Sequence, residues 1–276
     1  MALPFFIVER TMREELEQII REAAQAELLP RFKQVDHSLK SDGSIVTEVD
    51  IAMQQHMLNV LHDRWPQIPL LGEEMSPEEQ QGLLDNNGEG LWLLDPIDGT
   101  SNYAAGIPYF CVSLALMRKG MVELAIIYDP LRDESFSAEK GKGAWLNGEP
   151  LQAPRATRPL KQGIALIDLK RLSPQLAAKV TAEPPYSSQR NLGSGALDWC
   201  YVASGRVDVY LHGGQKLWDY AAGQLILSEA GGHAATLEGE TVLVKALTPR
   251  SVVAASDEGN HRQWLAYCRS TSSTIS

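Results

Sequence analysis

Cysteine is scarce in this sequence, which contains three such residues. Cys111, Cys200 and Cys268 are widely spaced and odd in number, so neither a zinc motif nor a disulfide-stapled fold is predicted. Free cysteines without such a framework are typical of a reducing compartment, and we expect a cytoplasmic protein.

Positive charge is also in short supply. The chain has 25 Lys and Arg residues against 35 Asp and Glu residues, which gives a formal net charge of −10. A nucleic-acid-binding face needs clustered Lys and Arg, so we expect no direct contact with nucleic acid. A small phosphorylated substrate stays compatible with this balance, provided that metal ions supply positive charge.

Long hydrophobic runs and several catalytic motifs are missing as well. The apolar segment 4–8 is too short to span a membrane and lacks a basic leader or cleavage site; we interpret it as an arm that packs on a helix. The last residues, 269–276, are mostly small and polar and predict a frayed tail. The sequence contains neither a Gly-x-Ser-x-Gly elbow nor a Walker-type phosphate loop. The six histidines show no metal-ligand spacing.

Hydrophobic periodicity predicts a mixture of helices and strands. In the first half we expect helices over 12–24 and 47–65, a strand whose apolar run is 91–94 and which ends at the turn that Gly99 permits, a hairpin of 111–117 and 121–128, and a glycine-rich hairpin over 141–148. In the second half we expect strands over 164–167, 207–211 and 251–255, with helices over 173–180, 196–203, 218–230 and 258–268. The proline-containing segment 151–160 separates a predicted N-terminal α+β subdomain, 1–150, from a C-terminal α/β subdomain, 151–276.

The most informative segment is Asp95-Pro96-Ile97-Asp98-Gly99-Thr100, which follows the apolar strand 91–94. Ligands of open α/β sheets bind at the carboxyl ends of strands. Two carboxylates about 4 Å apart repel each other by about 4 kcal/mol at an effective dielectric constant near 20, so this pair favours a bound cation. Oxygen donors without nearby Cys or His indicate Mg²⁺, with Mn²⁺ as an alternative. A polar β-turn explains the same residue types.

Two further segments have a similar character. Gly72-Glu73-Glu74 ends another short apolar run, and Trp218-Asp219-Tyr220-Ala221-Ala222-Gly223 precedes Glu229-Ala230-Gly231-Gly232. Together the three segments resemble the inositol monophosphatase family, which belongs to the magnesium-dependent, lithium-sensitive phosphatase superfamily that includes fructose-1,6-bisphosphatase. Supporting matches lie at 141–148 and at 193–196, and the resemblance covers 12–268. It implies an α/β (α+β) fold, a layered α/β/α/β/α sandwich, and we expect a homodimer.

The resemblance also implies the residues of a metal site. Side chains of Glu73, Asp95, Asp98 and Asp219, with the carbonyl oxygen of Ile97, would hold two or three Mg²⁺ ions. Such ions grip phosphate oxygens and help to ionise a bound water for in-line attack.

By the same resemblance, Thr100 and Glu73 would hold and deprotonate that water, and Asp98 is also counted as catalytic. Two alternatives stay open: Thr100 as a helix N-cap and Asp219 as a first-turn acid favoured by the helix dipole.

Substrate-binding residues are expected around the metals. The resemblance implies Asp98, Gly99, Thr100, Gly193, Ser194, Gly195 and Asp219. His212, at the position of a family glutamate, either bonds a substrate hydroxyl or merely lines a more open pocket. The segment 193–195 fits recognition of the leaving group or a plain turn that starts a helix. Asp50 matches an acidic position near a third metal, although a capping box explains it equally well. Glu74 either orients waters bound to the metals or is an ordinary exposed glutamate.

One position departs from the family pattern. Inositol-specific members usually carry a glutamate seven residues before the aspartate of the Trp-Asp motif, and His212 stands there instead. We therefore expect a Mg²⁺-dependent phosphomonoester hydrolase for inositol 1-phosphate or related sugar and polyol phosphates, without strict inositol specificity. Alternative substrates are fructose 1,6-bisphosphate, histidinol phosphate and 3′-phosphonucleotides. A protein-binding role in transcription antitermination, known for one bacterial relative, is an alternative of a different class.

Overall fold

The structure, a computed structural model, describes residues 11–34, 37–39, 45–86, 88–154 and 158–270. The expected N-terminal arm and nearly all of the expected tail lie outside the described residues. Within them no helix is long and apolar enough to cross a membrane.

The described residues form eight α-helices and fourteen β-strands. In chain order they are α1 (Met12–Glu27), β1 (His37–Leu39), β2 (Ile45–Thr47), α2 (Glu48–Arg64), β3 (Leu70–Gly72), α3 (Pro77–Asp85), β4 (Leu91–Asp98), α4 (Thr100–Ala105), β5 (Cys111–Arg118), β6 (Met121–Asp129), β7 (Glu134–Glu139), β8 (Gly143–Leu146), β9 (Glu149–Leu151), β10 (Ile164–Asp168), α5 (Pro174–Ala182), β11 (Ser188–Arg190), α6 (Gly195–Ala203), β12 (Val209–Gln215), α7 (Leu217–Ala230), β13 (His233–Ala235), β14 (Arg250–Ala255) and α8 (Glu258–Arg269).

Seven strands, β3 to β9, form the first sheet in sequence order. Strand β4, which lies next to the edge strand β3, is buried on both faces, and this burial explains its continuous apolar run. Trp92 and Leu94 pack in a cluster with residues of α1 and α2, whereas Leu91 and Leu93 pack in a cluster with residues of α6 and α7. Alternate side chains of one strand therefore join two helical layers.

Five strands form the second sheet, in the order β11-β10-β12-β14-β13. Strands β11, β10 and β12 are parallel to one another, and β14 is antiparallel to its neighbours. One face packs in the same cluster as α6 and α7, and the other packs against α5 and α8 through Val180 and Trp264. The layers run helix, sheet, helix, sheet, helix, and the predicted α/β/α/β/α sandwich is confirmed.

Strand β4 contains the apolar run 91–94 and ends at Asp98, immediately before Gly99, where the sequence predicts a turn. Its register changes between Asp95 and Asp98. Asp95 pairs with Ser113 and Asp98 pairs with Cys111, so β4 carries one extra residue there. Pro96 has no N–H to give to the ladder, and a bulge accommodates it without ending the strand. Strand β12 extends past the predicted end at 211 to Gln215.

The division of the chain near residue 150 stays a prediction. All strands of the first sheet precede Ala153 and all strands of the second follow it. The two parts nevertheless share one hydrophobic cluster, in which Leu71 and Phe136 lie with Leu166 and Leu227.

Candidate metal centre

One cavity of about 250 Å³ brings together most of the predicted site residues. It opens where β4 ends, where α6 and α7 begin, and at the carboxyl ends of β10 and β12. The predicted residues that line it are Glu73, Asp95, Ile97, Asp98, Gly99, Thr100, Gly193, Ser194, Gly195, His212 and Asp219. Asp50 and Glu74 are not among the lining residues.

The bulge in β4 sets the directions of its two aspartates. Asp95 is only 2 % exposed, and its Oδ1 accepts a hydrogen bond from the Ile97 N–H at 3.0 Å. Such a bond from an aspartate to the amide two residues later is typical of a tight local turn. The carbonyl oxygen of Ile97 lies 2.9 Å from the Thr100 hydroxyl, which donates to it. The segment 95–100 is thus both a turn and a wall of the cavity.

Asp98 is tied to the start of α6, 96 residues further along the chain. Its Oδ2 accepts from the Ser194 hydroxyl at 2.7 Å and from the Ala196 N–H at 2.5 Å. The helix start predicted from 193–196 is confirmed, and the Ala196 N–H at this start donates to Asp98. No local pattern predicts this pairing, because the two partners are 96 and 98 residues apart along the chain.

Two glycines let the same segments approach closely. Gly99 has φ 99°, and a Cβ there would lie 3.1 Å from the Tyr109 carbonyl oxygen and 3.2 Å from that of Gly193. Gly193 has φ 83°, and a Cβ there would lie 3.0 Å from Asn102 Nδ2. Both positions need glycine because other residues disfavour a positive φ and because no room exists for a side chain. Their expected role in substrate binding stays a prediction.

Thr100 is not the N-cap of α4: Gly99 occupies that position, and Thr100 is the first helical residue. The capping alternative for Thr100 is therefore wrong. Its Oγ1 lies 3.0 Å from Asp50 Oδ1 as well as near the Ile97 carbonyl. A hydroxyl has a single proton, so it donates to one of these acceptors at a time.

One oxygen of Asp50 caps α2. Its Oδ2 accepts from the Thr47 N–H at 2.7 Å and from the Thr47 hydroxyl at 2.6 Å, so the predicted capping box is confirmed. Asp50 is 1 % exposed, and its Oδ1 contacts Thr100, which lines the cavity. Its expected place near a third metal stays a prediction.

Glu73 and Glu74 follow β3 and behave differently. Glu73 lines the cavity, and the Gln80 side chain donates to its carbonyl oxygen at 3.2 Å, which fixes the local backbone. Lys216 Nζ lies 4.0 Å from Glu73 Oε1. The N–H of Glu74 donates to Gln54 Oε1 at 3.0 Å, and Glu74 is half-buried beside the cavity rather than exposed.

Asp219 stands in the first turn of α7, as its alternative interpretation expects. Its Oδ2 accepts from the Lys216 N–H at 2.8 Å, so the carboxylate satisfies one of the helix's unpaired amides. The same side chain lines the cavity. A first-turn acid and a cavity carboxylate are compatible because only one oxygen is used by the helix.

Burial and mutual repulsion raise the pKa of several cavity carboxyls. Burial, followed by the charge of Glu73, raises the pKa of Asp95 and that of Asp219 well above the ordinary value. Burial also raises the pKa of Asp98, although the hydrogen bonds from Ser194 and Ala196 partly offset the rise. Without a cation, these groups are stabilised by holding protons.

The donor set fits a hard divalent cation in its chemistry. The four carboxylates offer oxygen only, and burial raises the pKa of the neighbouring Cys111 thiol, which keeps it a poor ligand. Among the described residues, no three His, Cys, Asp or Glu side chains stand in metal-ligand geometry. One carboxylate oxygen accepts a hydrogen bond from a backbone N–H or a hydroxyl group in each of Asp95, Asp98 and Asp219.

The sequence did not indicate several polar residues of the cavity wall, among them Asp168, Asp198 and Lys216. Asp168 ends β10 and pairs in parallel register with His212 of β12; an acid at the carboxyl end of a predicted strand could have indicated it. Asp198 is 6 % exposed and accepts from the Tyr109 hydroxyl at 3.0 Å. Lys216 belongs to no recognised sequence motif.

Comparisons with known proteins agree with this architecture. A sequence profile of the inositol monophosphatase family matches residues 5–273. The Nus factor SuhB of Pasteurella multocida (strain Pm70) is 37 % identical over 200 residues, which cover 71 % of this chain and 73 % of that protein.

Solved structures resemble the whole described fold. The IMPase of Thermotoga maritima superposes with a TM-score of 0.80 at 28 % identity, covering 92 % of this chain and 95 % of that one. SaIMPase-II bound to inositol monophosphate superposes with a TM-score of 0.76 at 26 % identity, covering 91 % and 90 %.

Proposed function

Because this chain belongs to the inositol monophosphatase family, we propose that it is a phosphoric monoester hydrolase that depends on Mg²⁺, with Mn²⁺ as a substitute. The observation that carries the proposal is the cluster of Glu73, Asp95, Asp98 and Asp219 around one cavity. A phosphate dianion does not enter such a cluster unless cations reverse its charge. The raised pKa of Asp95 and that of Asp219 support the same need for cations.

The chain's own residues have distinct roles in this proposal. Glu73, Asp95, Asp98, Asp219 and the Ile97 carbonyl hold the metal ions, two or three in number. The ions supply charge for the phosphate oxygens and lower the pKa of water. Thr100, whose hydroxyl already reaches two acceptors, orients the attacking water together with Glu73 and passes a proton towards Asp50 or Glu73.

The cavity and one relative support a class of substrate. SaIMPase-II is solved with inositol monophosphate, which supports a phosphorylated polyol here. We propose inositol 1-phosphate and related sugar or polyol monophosphates as substrates. We also expect a homodimer in the cytoplasm, which sedimentation and cell fractionation would check.

A panel of phosphomonoesters assayed with purified protein tests the proposal. We expect turnover with added Mg²⁺, loss of turnover in excess chelator, and inhibition by lithium. Asp95→Asn, purified in parallel, should lower turnover at least a hundredfold, and it also controls for contaminating phosphatases. Full activity after exhaustive chelation would contradict the proposal, as would equal activity in Asp95→Asn.

A regulatory role is the second candidate, favoured by the 37 % identity to a Nus factor. We propose that the chain also acts on transcription through protein contacts, independently of turnover. In a transcription reaction dependent on a Nus factor, wild type and Asp95→Asn should then be equally active. Absence of any effect of the wild type would reject this second role.

A further inference from the structure

His212, the residue that departs from the family pattern, is already engaged on both sides of its ring. Its Nδ1 accepts a hydrogen bond from the Gly214 N–H at 3.1 Å. Its Nε2 lies 3.4 Å from Asp168 Oδ2. Since Nδ1 accepts, the ring proton is on Nε2 and points at Asp168. His212 therefore has no nitrogen left for a ligand, and its role is to orient the carboxylate beside it.

Asp168 has the acceptor capacity that His212 lacks. A carboxylate offers about four acceptor sites. The described residues place two donors on it, the Lys170 N–H at 3.0 Å and His212 Nε2. Its side chain is 25 % exposed, against 13 % for His212, and lines the cavity. Solvent, or a ligand in the cavity, can reach the remaining sites.

The charge on Asp168 is also maintained by its surroundings. The hydrogen bond from His212 is the largest influence that lowers the pKa of Asp168, and the Lys170 amide and the Arg171 charge act in the same direction. The group is thus an anion at neutral pH. Hydrogen bonds that a charged acceptor makes are about twice as strong as neutral ones.

The position of Asp168 relative to the metal-site carboxylates defines what it can contact. Strands β10 and β12 are parallel, with Asp168 opposite His212 at their carboxyl ends. The carboxylates of the metal site line the same cavity from β4 and α7. A substrate whose phosphate lies at the metal site therefore directs its leaving group towards another wall of the cavity, to which Asp168 belongs.

We propose that Asp168, oriented by His212, accepts hydrogen bonds from hydroxyl groups of the leaving group and so favours substrates whose leaving group carries hydroxyls. The carboxylate that inositol-specific members carry at the position of His212 is, in this chain, supplied by the neighbouring strand. This inference rests on the proposed phosphatase activity and names its substrate preference.

The test compares two substrates in wild type and Asp168→Asn at fixed Mg²⁺. Inositol 1-phosphate carries hydroxyls on its leaving group, whereas phenyl phosphate carries none. Asparagine is isosteric and still caps the turn at Lys170, so folding is preserved. We expect the ratio of kcat/KM for inositol 1-phosphate to that for phenyl phosphate to fall about tenfold, mainly through KM. That fold-change corresponds to about 1.4 kcal/mol.

Two further variants sharpen the comparison. Asp257→Asn is a matched control, because Asp257 caps α8 by accepting from the Asn260 N–H at 2.9 Å and does not line this cavity; the substrate ratio should not change. His212→Phe removes the donor that orients Asp168. It should lower the ratio in the same direction as Asp168→Asn, through KM rather than kcat.

The possible results distinguish a failure of this inference from a failure of the proposed function. An unchanged ratio in Asp168→Asn would overturn the inference, as would an equal loss on both substrates, and in both cases the phosphatase proposal would stand. If wild type hydrolyses neither substrate with Mg²⁺, the proposed function itself fails. A fall in the ratio confined to Asp168→Asn and His212→Phe supports the inference.

Discussion

Replacing Ser194 by alanine removes the hydroxyl that joins α6 to the end of β4. Ser194 is 1 % exposed, and its Oγ donates to Asp98 Oδ2 at 2.7 Å. A hydrogen bond to a charged group contributes about 1.5–3 kcal/mol to stability. Asp98 keeps the bond from the Ala196 N–H, so we expect Ser194→Ala to lower the free energy of unfolding by about 2 kcal/mol.

The loss should depend on pH in a defined direction. The bond from Ser194 lowers the pKa of Asp98 against the opposing effect of burial. Its removal raises that pKa further, so the variant's folded state holds the proton to higher pH. The stability difference between wild type and Ser194→Ala therefore grows as pH rises through these pKa values.

Chemical and thermal unfolding in chelator, at pH 5 and pH 8, measures both effects. Ser135→Ala is the matched control: Ser135 is also 1 % exposed, but within the described residues its Oγ has no hydrogen-bond partner. Removing an unpaired buried hydroxyl should be neutral or stabilising. If Ser194→Ala is no less stable than Ser135→Ala at pH 8, the bond to Asp98 does not stabilise the protein and the reasoning is wrong.

Two other outcomes follow from the charges of the site. Because the pKa of Asp95 and that of Asp219 are raised in the folded protein, it binds more protons than the unfolded chain. Their stabilising contribution is complete below about pH 4 and is lost as pH rises through the raised values. The melting temperature measured in chelator should therefore fall from pH 5 to pH 8, and Asp95→Asn should make that fall smaller. Added Mg²⁺ should raise the melting temperature more at pH 8 than at pH 5. A melting temperature that rises with pH would contradict this reasoning. His212→Glu should lower, not raise, kcat/KM for inositol 1-phosphate, because it sets a second carboxylate against Asp168; an improved value would show that the two side chains do not meet.

The sequence predicted most of the longer helices and strands because they depend on local patterns, whereas the order of the layers was expected from the family resemblance; α3 and β11 were not predicted. Periodicity located most of the helices, and the three acidic motifs placed Glu73, Asp95, Asp98 and Asp219 at one cavity. Two kinds of feature were not predictable in this way. The bulge between Asp95 and Asp98 depends on the pairing of β4 with β5, so no local pattern predicts it.

Contacts between distant segments were the second kind. The contacts of Asp98 with Ser194 of the α6 start and of His212 with Asp168 join residues that are 96 and 44 positions apart. No local sequence pattern predicts either contact. The sequence could show that His212 departs from the family pattern. Only the register of β10 against β12 shows which carboxylate lies beside it.

The separation of the metal-site residues along the chain has a consequence for synthesis on the ribosome. Glu73, Asp95 and Asp98 emerge early, whereas Ser194 and Asp219 lie about a hundred or more residues later. At about 5–20 residues per second, the nascent chain carries three unneutralised acids for roughly ten seconds before their partners exist. Contacts of such long range form late in folding. The proposed metal site is therefore completed only late in folding, and a chain truncated before Asp219 lacks one of its four carboxylates.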